Sequence, residues 1–273
     1  RRVTRILTPR SPTAPITKGT SMHIARVRHE GKASAAIVEG SKAHLVRGGP
    51  FGSLERTGVT AAEGAAKLKL LVPSEPSKIV AIGINYQSNA GERTAPGQPE
   101  AFLKAPSSLI AAGGTIVLPP NAGRVDAEAE VVAIIGRRAR NISEADVDDY
   151  VAGYTCGNDV SAREWQQSDL QWWRAKSSDT FTSVGPWMET GMDPENIHLI
   201  GRLNGEVVQE ATTGELVHSI RKCIATISRS MTLERGDMVF TGTPGQTAQL
   251  RDGDVFEVEI EGIGRLRNRV ANA

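Results

Sequence analysis

Histidine is missing from the part of this chain where acid-base chemistry would most readily use it. The five histidines (His23, His29, His44, His198, His218) leave a gap from His44 to His198, so a site built on the middle of the chain must work without a nearby-in-sequence histidine. Cysteine is scarcer still. Cys156 and Cys223 give neither a disulfide framework nor a zinc-ligand spacing, and a reducing, cytoplasmic setting is expected. No apolar run suggests a membrane span. Net charge is almost absent, at +1, which argues against the concentrated basic surface that nucleic-acid binding needs. The turn Thr241-Gly242-Thr243-Pro244-Gly245 could bring backbone N–H groups and the Thr243 hydroxyl to an anion. It lacks the lysine and following helix of a phosphate loop, so nucleotide binding is rejected. What remains, 39% hydrophobic and 23% charged, is an ordinary globular composition, long enough for one large domain or a large and a small one.

The stretch that organises the chain is Val125-Asp126-Ala127-Glu128-Ala129-Glu130-Val131-Val132-Ala133-Ile134-Ile135-Gly136. Its Val- and Ile-rich second half reads as a buried strand, and side chains then alternate between faces. Asp126, Glu128 and Glu130 share one face, about 7 Å apart in sequence order. No Lys or Arg lies among them, so a buried face would force a proton onto at least one. A hard divalent cation would relieve the repulsion. The alternative reading is an edge strand with a solvated acidic face.

Residues 1–21 carry Arg1, Arg2, Arg5, Arg10 and Lys18 with no acid, and are read as a flexible basic tail ahead of a natural start near Met22. Organelle targeting stays open, although Pro9, Pro12 and Pro15 spoil an amphipathic helix. Residues 22–72 read as a small β-meander plus a short helix, for which Thr60 and Glu63 have capping-box spacing. Residues 73–77, with Pro73 and Pro76, form a linker to a larger unit, 78–273. There Ser143 and Asp146 again suggest a capped helix ended by Gly153. Asn204-Gly205 suits a type I′ hairpin turn, and 215–230 has helical apolar spacing. His218 on that helix is read as a packing or surface residue. Asp159 closes a short strand and reads either as a further oxygen ligand or as a helix cap. Lys176 reads either as a partner for a substrate anion or as a solvated side chain. Trp165, Trp172 and Trp173 read as core or interface.

Taken together, Gly83-Ile84-Asn85-Tyr86, Phe102-Leu103-Lys104, the acidic stretch, Asn158-Asp159, Ser161-Ala162-Arg163, Lys176 with Asp179, Gly185-Pro186-Trp187, Asn204-Gly205-Glu206 and Thr241-Gly242-Thr243-Pro244 resemble the fumarylacetoacetate hydrolase family from about Lys78 to Val270. Each piece is weak alone, but the ordered set is specific. The resemblance implies an α+β, mainly β fold, with a mixed β-sandwich roll as catalytic domain, and a homodimer. It also implies Mg²⁺ or Mn²⁺, with Ca²⁺ as a possible occupant, held by Glu128, Glu130 and Asp159, and it demotes Asp126 from the ligand set. Arg163, Gln166, Lys176, Lys104 and Thr243 would then contact the carboxylate and keto oxygens of a small oxo or diketo acid.

Many hydrolytic members carry a histidine in the loop after Asn-Tyr, three residues before a glutamate. The matching residues here are Asn89 and Glu92. Asn89 can orient water but cannot exchange a proton near neutral pH, and Glu92 would need a raised pKa to act as base. The first expectation is hydrolytic cleavage of a carbon-carbon bond in an acylpyruvate-like acid through a metal-stabilised enolate. Oxo-acid decarboxylation or keto-enol tautomerisation is the alternative, and a catalytically weak dicarboxylate-binding member is a third.

Overall fold

Val131 to Ile135 lie within the strand Ala129–Ile135, whose seven residues are all buried. One face, through Val131, Ala133 and Ile135, packs on Leu199, Val258 and Leu266. The other, through Val132, meets Ile79, Met238 and Phe240. A strand covered on both faces reads as a continuous apolar run instead of alternating. In the computed structural model, residues 20–62, 68–90 and 94–273 are described. The architecture is α+β and mainly β.

Ala129–Ile135 sits inside a 12-stranded sheet, between Val151–Asp159 and Met238–Phe240. A 5-stranded sheet, containing His198–Leu203 and Val255–Ile260, covers one face together with the helix Ile220–Ser230. The strands His23–His29, Lys32–Glu39 and Lys42–Arg47 pair as an antiparallel meander that continues the large sheet through pairing of His23 with Glu189 and Ile24 with Met188. The segment 73–77 is anchored rather than loose. Ser74 Oγ donates to Gly236 O at 2.7 Å, and Ser77 N and Oγ both donate to Asp237 Oδ1 at 2.8 Å.

Several local expectations yield to tertiary pairing. Thr60 lies in the strand Glu55–Ala62, paired with His44, and Leu68–Leu71 is also a strand. Glu63, the other half of the expected capping box, is outside the described residues. Ser143 bonds the Asp146 side chain at 2.7 Å without capping a helix, and Glu144–Asp149 is 3₁₀. Gly153 lies within a strand, where a Cβ would come 2.3 Å from Glu189 O. The helix expected over 215–230 begins at Ile220, where Ser219 Oγ accepts from Lys222 N. Asn204 and Gly205 have φ of 53° and 88°, as a type I′ turn requires. Among the described residues, no helix is long and apolar enough to cross a membrane. The basic tail falls outside them up to residue 19.

Gly157 shows how tightly the strands bearing the acidic residues are packed. It pairs with Glu130, and a Cβ there would meet Val132 Cγ2 at 2.3 Å and Phe240 Cε1 at 2.7 Å. Gly157→Ala is therefore expected to destabilise the protein by about 1–3 kcal/mol through overpacking. A fall in the urea midpoint measures this, and an unchanged midpoint would mean the sheet opens freely at this point.

Candidate functional site

Glu128 and Glu130 are two residues apart on the acidic segment. Glu130 pairs with Gly157, so Asp159, two residues further along the neighbouring strand, comes up on the same face. Asp159 N donates to Glu128 O at 2.9 Å, which ties the two segments where the carboxylates emerge. One carboxylate oxygen from each of Glu128, Glu130 and Asp159 lies within 4.8 Å of the others, and all three residues are buried. Asp159 is thus no helix cap: Ala162 precedes the short helix Arg163–Ser168. The solvated-face reading fails for the same reason.

Asp126 leaves this face because the strand breaks at Glu128. Val125–Ala127 joins a separate sheet with Ser161–Ala162 and Ala248–Gln249. Its carboxylate accepts from Arg124 Nε at 2.7 Å, Arg163 Nε at 2.8 Å and Thr247 Oγ1 at 2.7 Å. It therefore orients a guanidinium group that faces the cavity.

Lys176 is buried, not solvated. Its Nζ donates to Glu128 Oε2 and Asp159 Oδ2, each at 2.7 Å, leaving a third N–H for the cavity that Lys176 also lines. Lys104, expected to touch substrate, lies beneath the cluster. Its fully buried Nζ donates to Asp159 Oδ1 at 2.5 Å and to the carbonyls of Lys176 and Phe181. It has no free donor for a ligand and instead positions Asp159. Thr243 lines the cavity, yet its hydroxyl proton goes to Ala129 O at 2.9 Å. Gln166 also lines the cavity. Its Oε1 accepts from Arg163 Nη1, which leaves its Nε2 available.

One residue that carries the geometry was not anticipated. Gln209, on Glu206–Thr212, accepts from Ala129 N at 3.0 Å and donates to Thr243 Oγ1 at 2.8 Å and Pro244 O at 2.7 Å. It clamps the peptide between Glu128 and Glu130 to the 241–245 turn. It lies 80 positions from Ala129 in the chain, and no local pattern announces that contact.

The cluster is under-neutralised. Burial alone would raise the pKa of Glu128, but the Lys176 ammonium and Arg163 guanidinium together overcome it and hold the carboxyl near about 2. Among the described residues Glu130 makes no ion pair, and the Lys176 charge lowers its pKa only as the smallest of the causes acting on it. Burial raises it well above the ordinary glutamate range, the charges of Asp159 and Glu128 raise it further, and the Gly242 N–H at 2.7 Å only partly offsets them. Burial would lower Lys176, but Asp159 and Glu128 outweigh it and the ammonium stays charged. Burial lowers the pKa of Lys104. Three oxygen-only ligand residues with one carboxyl short of a cation fit a hard divalent ion such as Mg²⁺ or Mn²⁺. Among the described residues no histidine or cysteine joins them to favour zinc.

Ion binding at this cluster is then coupled to loss of the Glu130 proton. Below the raised pKa, metal affinity is expected to rise with pH and about one proton to be released per ion bound. Calorimetry in two buffers of different ionisation enthalpy counts that proton. Equal heats in both would show that Glu130 is already ionised.

The cluster floors an open cavity of about 720 Å³. Trp172, edge-on to Phe102 at 5.3 Å, forms one wall, while Trp173 is solvent-exposed and Trp165 carries Arg174 over its ring. Asn89 lines the cavity and donates from Nδ2 to Gly245 O at 2.8 Å. Glu92 lies outside the described residues. His218 is buried with Nε2 2.7 Å from Pro96 O, as fits a packing role.

A buried carboxylate cluster with lysine partners, opening into a cavity on a mainly β scaffold, defines an enzyme site. The chain belongs to the fumarylacetoacetate hydrolase family: residues 78–271 match "Fumarylacetoacetate (FAA) hydrolase C-terminal", and residues 22–73 match "Rv2993c-like, N-terminal". It is 42% identical over 226 residues to Protein Rv2993c of Mycobacterium tuberculosis, covering 81% of this chain and 84% of that one. It is 36% identical over 219 residues to rat "Oxaloacetate tautomerase Fahd2a, mitochondrial", covering 75% and 70%. The crystal structure of 2-hydroxyhepta-2,4-diene-1,7-dioate isomerase from Mycobacterium marinum superposes with a TM-score of 0.86 at 38% identity, over 92% of this chain and 99% of that one.

Proposed function

We propose that the protein is a divalent-metal-dependent tautomerase or isomerase of a small oxo acid, with decarboxylation open to the same enolate. The observation that carries this reading is at Asn89. The residue matching the usual water-activating histidine cannot take up a proton, and its amide is committed to Gly245 O. No histidine is among the described residues lining the cavity. Hydrolysis, the first expectation from sequence, would rest on Glu92 alone. Relatives named for oxaloacetate tautomerisation and for dienedioate isomerisation support the same choice.

Glu128, Glu130 and Asp159 would hold the ion. Bound there, it supplies Lewis acidity to neighbouring carbonyl and enolate oxygens. The chain does the rest. Lys176 directs its third N–H at the oxygen on which charge builds, and that electrostatic help is large because the site is buried. Arg163 has Nε on Asp126, Nη1 on Gln166, and Nη2 on both Thr247 Oγ1 and Glu128. One Nη1 proton remains, and with Gln166 Nε2 it can hold the substrate carboxylate. Proton transfer at carbon is assigned to Glu92, three residues after Asn89 in sequence.

A panel of oxaloacetate, an acylpyruvate and fumarylpyruvate, with and without Mg²⁺, tests this. Metal-dependent enol-keto interconversion should exceed acylpyruvate hydrolysis by orders of magnitude. Asn89→His should raise the hydrolysis and leave the interconversion within about tenfold. Wild-type protein that hydrolyses the acylpyruvate fast and leaves enol-keto exchange at its background rate would sink the reading.

A further inference from the structure

Charged groups follow one another in a row along the cavity. Glu128 Oε1 lies 2.6 Å from Arg163 Nη2. Arg163 Nε and Arg124 Nε donate to the two oxygens of Asp126, at 2.8 and 2.7 Å. Asp126 therefore stands between two guanidinium groups, and the row alternates in sign from Glu128 through Arg163 and Asp126 to Arg124, so that it ends on the positive group of Arg124, away from the carboxylate cluster. The two arginines differ in what they have left to offer. Arg163 retains one N–H, whereas Arg124 uses Nε and makes only a 3.5 Å contact from Nη2 to Thr247 O. Its side chain is 52% exposed and lines the cavity. Gln167 and Gln246 lie on the same lining and bring no charge, and among the described residues no acid lines the cavity besides the cluster itself; Glu92, assigned above to proton transfer, lies outside the described residues. Glu164, next to Arg163, has its carboxylate against Gly123 and is not part of that lining.

An arginine held by one edge and open along the other is suited to a carboxylate, which the planar fork binds with two hydrogen bonds. Because Asp126 already fixes the group, little side-chain freedom is lost on binding. We propose that Arg124 is the specificity-determining residue for a second, distal carboxylate, so that the substrate is an oxo dicarboxylic acid. Its keto-acid head lies at the cluster and its far carboxylate at Arg124. The assignment rests on the oxo-acid reading above. At about 720 Å³ the cavity admits diacids longer than four carbons, so charge, not length, is the feature selected.

A matched pair of unreactive probes isolates that carboxylate. Malate and lactate share a 2-hydroxy-acid head and differ in the distal group. In the presence of Mg²⁺, calorimetry on the wild-type protein should show malate bound more tightly. Arg124→Gln should lower the malate-to-lactate affinity ratio by about tenfold or more, and Arg124→Lys should fall between. Where oxaloacetate is turned over, KM should rise in Arg124→Gln far more than kcat falls. A ratio unchanged in Arg124→Gln overturns the proposal, and so does equal weakening of both probes, which would mean general damage to the site. Absence of turnover in the wild type overturns the tautomerase reading instead, and the probe ratio still decides the role of Arg124.

Discussion

Glu130→Gln should abolish divalent-metal binding and, with it, activity, while leaving the metal-free protein as stable as before. The two halves have one cause. Glu130 is buried beside Asp159 and Glu128, accepts one hydrogen bond from Gly242, and has its pKa raised well above the ordinary range by that burial and by the two charges. At any pH below that raised pKa the metal-free protein holds it as a neutral group, which a glutamine of the same shape imitates. A bound ion needs the anion, which glutamine cannot become. The loss of affinity should exceed the ~10- to 100-fold typical of residues that only support a ligand. Thermal unfolding reads both halves at once. At an ion concentration about 100 times Kd the wild type gains about 2.7 kcal/mol, or roughly 5–10 °C in Tm. The variant should start from the same Tm and gain nothing. A shift of wild-type size in Glu130→Gln would remove Glu130 from the ligand set.

The sequence made part of this site legible, and the physical reason is periodicity. Glu128 and Glu130 share a face because a strand repeats every two residues, and the apolar run after them marks the strand as buried. The same rule misplaced Asp126, because a strand break at Glu128 and a change of sheet are decided by pairing with Ser161–Ala162, far away in the chain. Asp159 and Lys176 were ambiguous as single residues and acquired roles only through the family resemblance. That resemblance placed Lys104 at the site but not on which side of Asp159 it lies. Gln209 was out of reach, since its role exists only once two sheets are packed. The misread helix starts at Thr60 and Ser143 share a cause: capping patterns are local, and strand pairing or a short 3₁₀ turn overrode them.

Lys176→Met separates charge stabilisation from ion binding. Lys176 Nζ sits 2.7 Å from both Glu128 Oε2 and Asp159 Oδ2, two of the groups that would hold the ion. Its ammonium therefore competes with the ion for the same carboxylates, and a variant without it should bind Mn²⁺ at least as tightly as the wild type. The metal-free variant suffers instead. Two buried carboxylates lose a partner, at a cost of about 3–5 kcal/mol, and Glu128, held down jointly by Lys176 and Arg163, should rise in pKa and take up a proton at higher pH. Added Mn²⁺ supplies the missing positive charge, so Tm should recover towards the wild-type value. Activity should not recover. The third N–H of Lys176 is not used by either carboxylate and lies at the cavity lining; if it serves the substrate oxygen, loss of one such donor costs about 10²–10³ in kcat. A low metal-free Tm, a near-normal loaded Tm, undiminished Mn²⁺ affinity and a kcat lower by that factor form a pattern that a structural lysine would not produce. If kcat instead returned with Tm on adding Mn²⁺, Lys176 would be reduced to a counter-charge for the empty cluster.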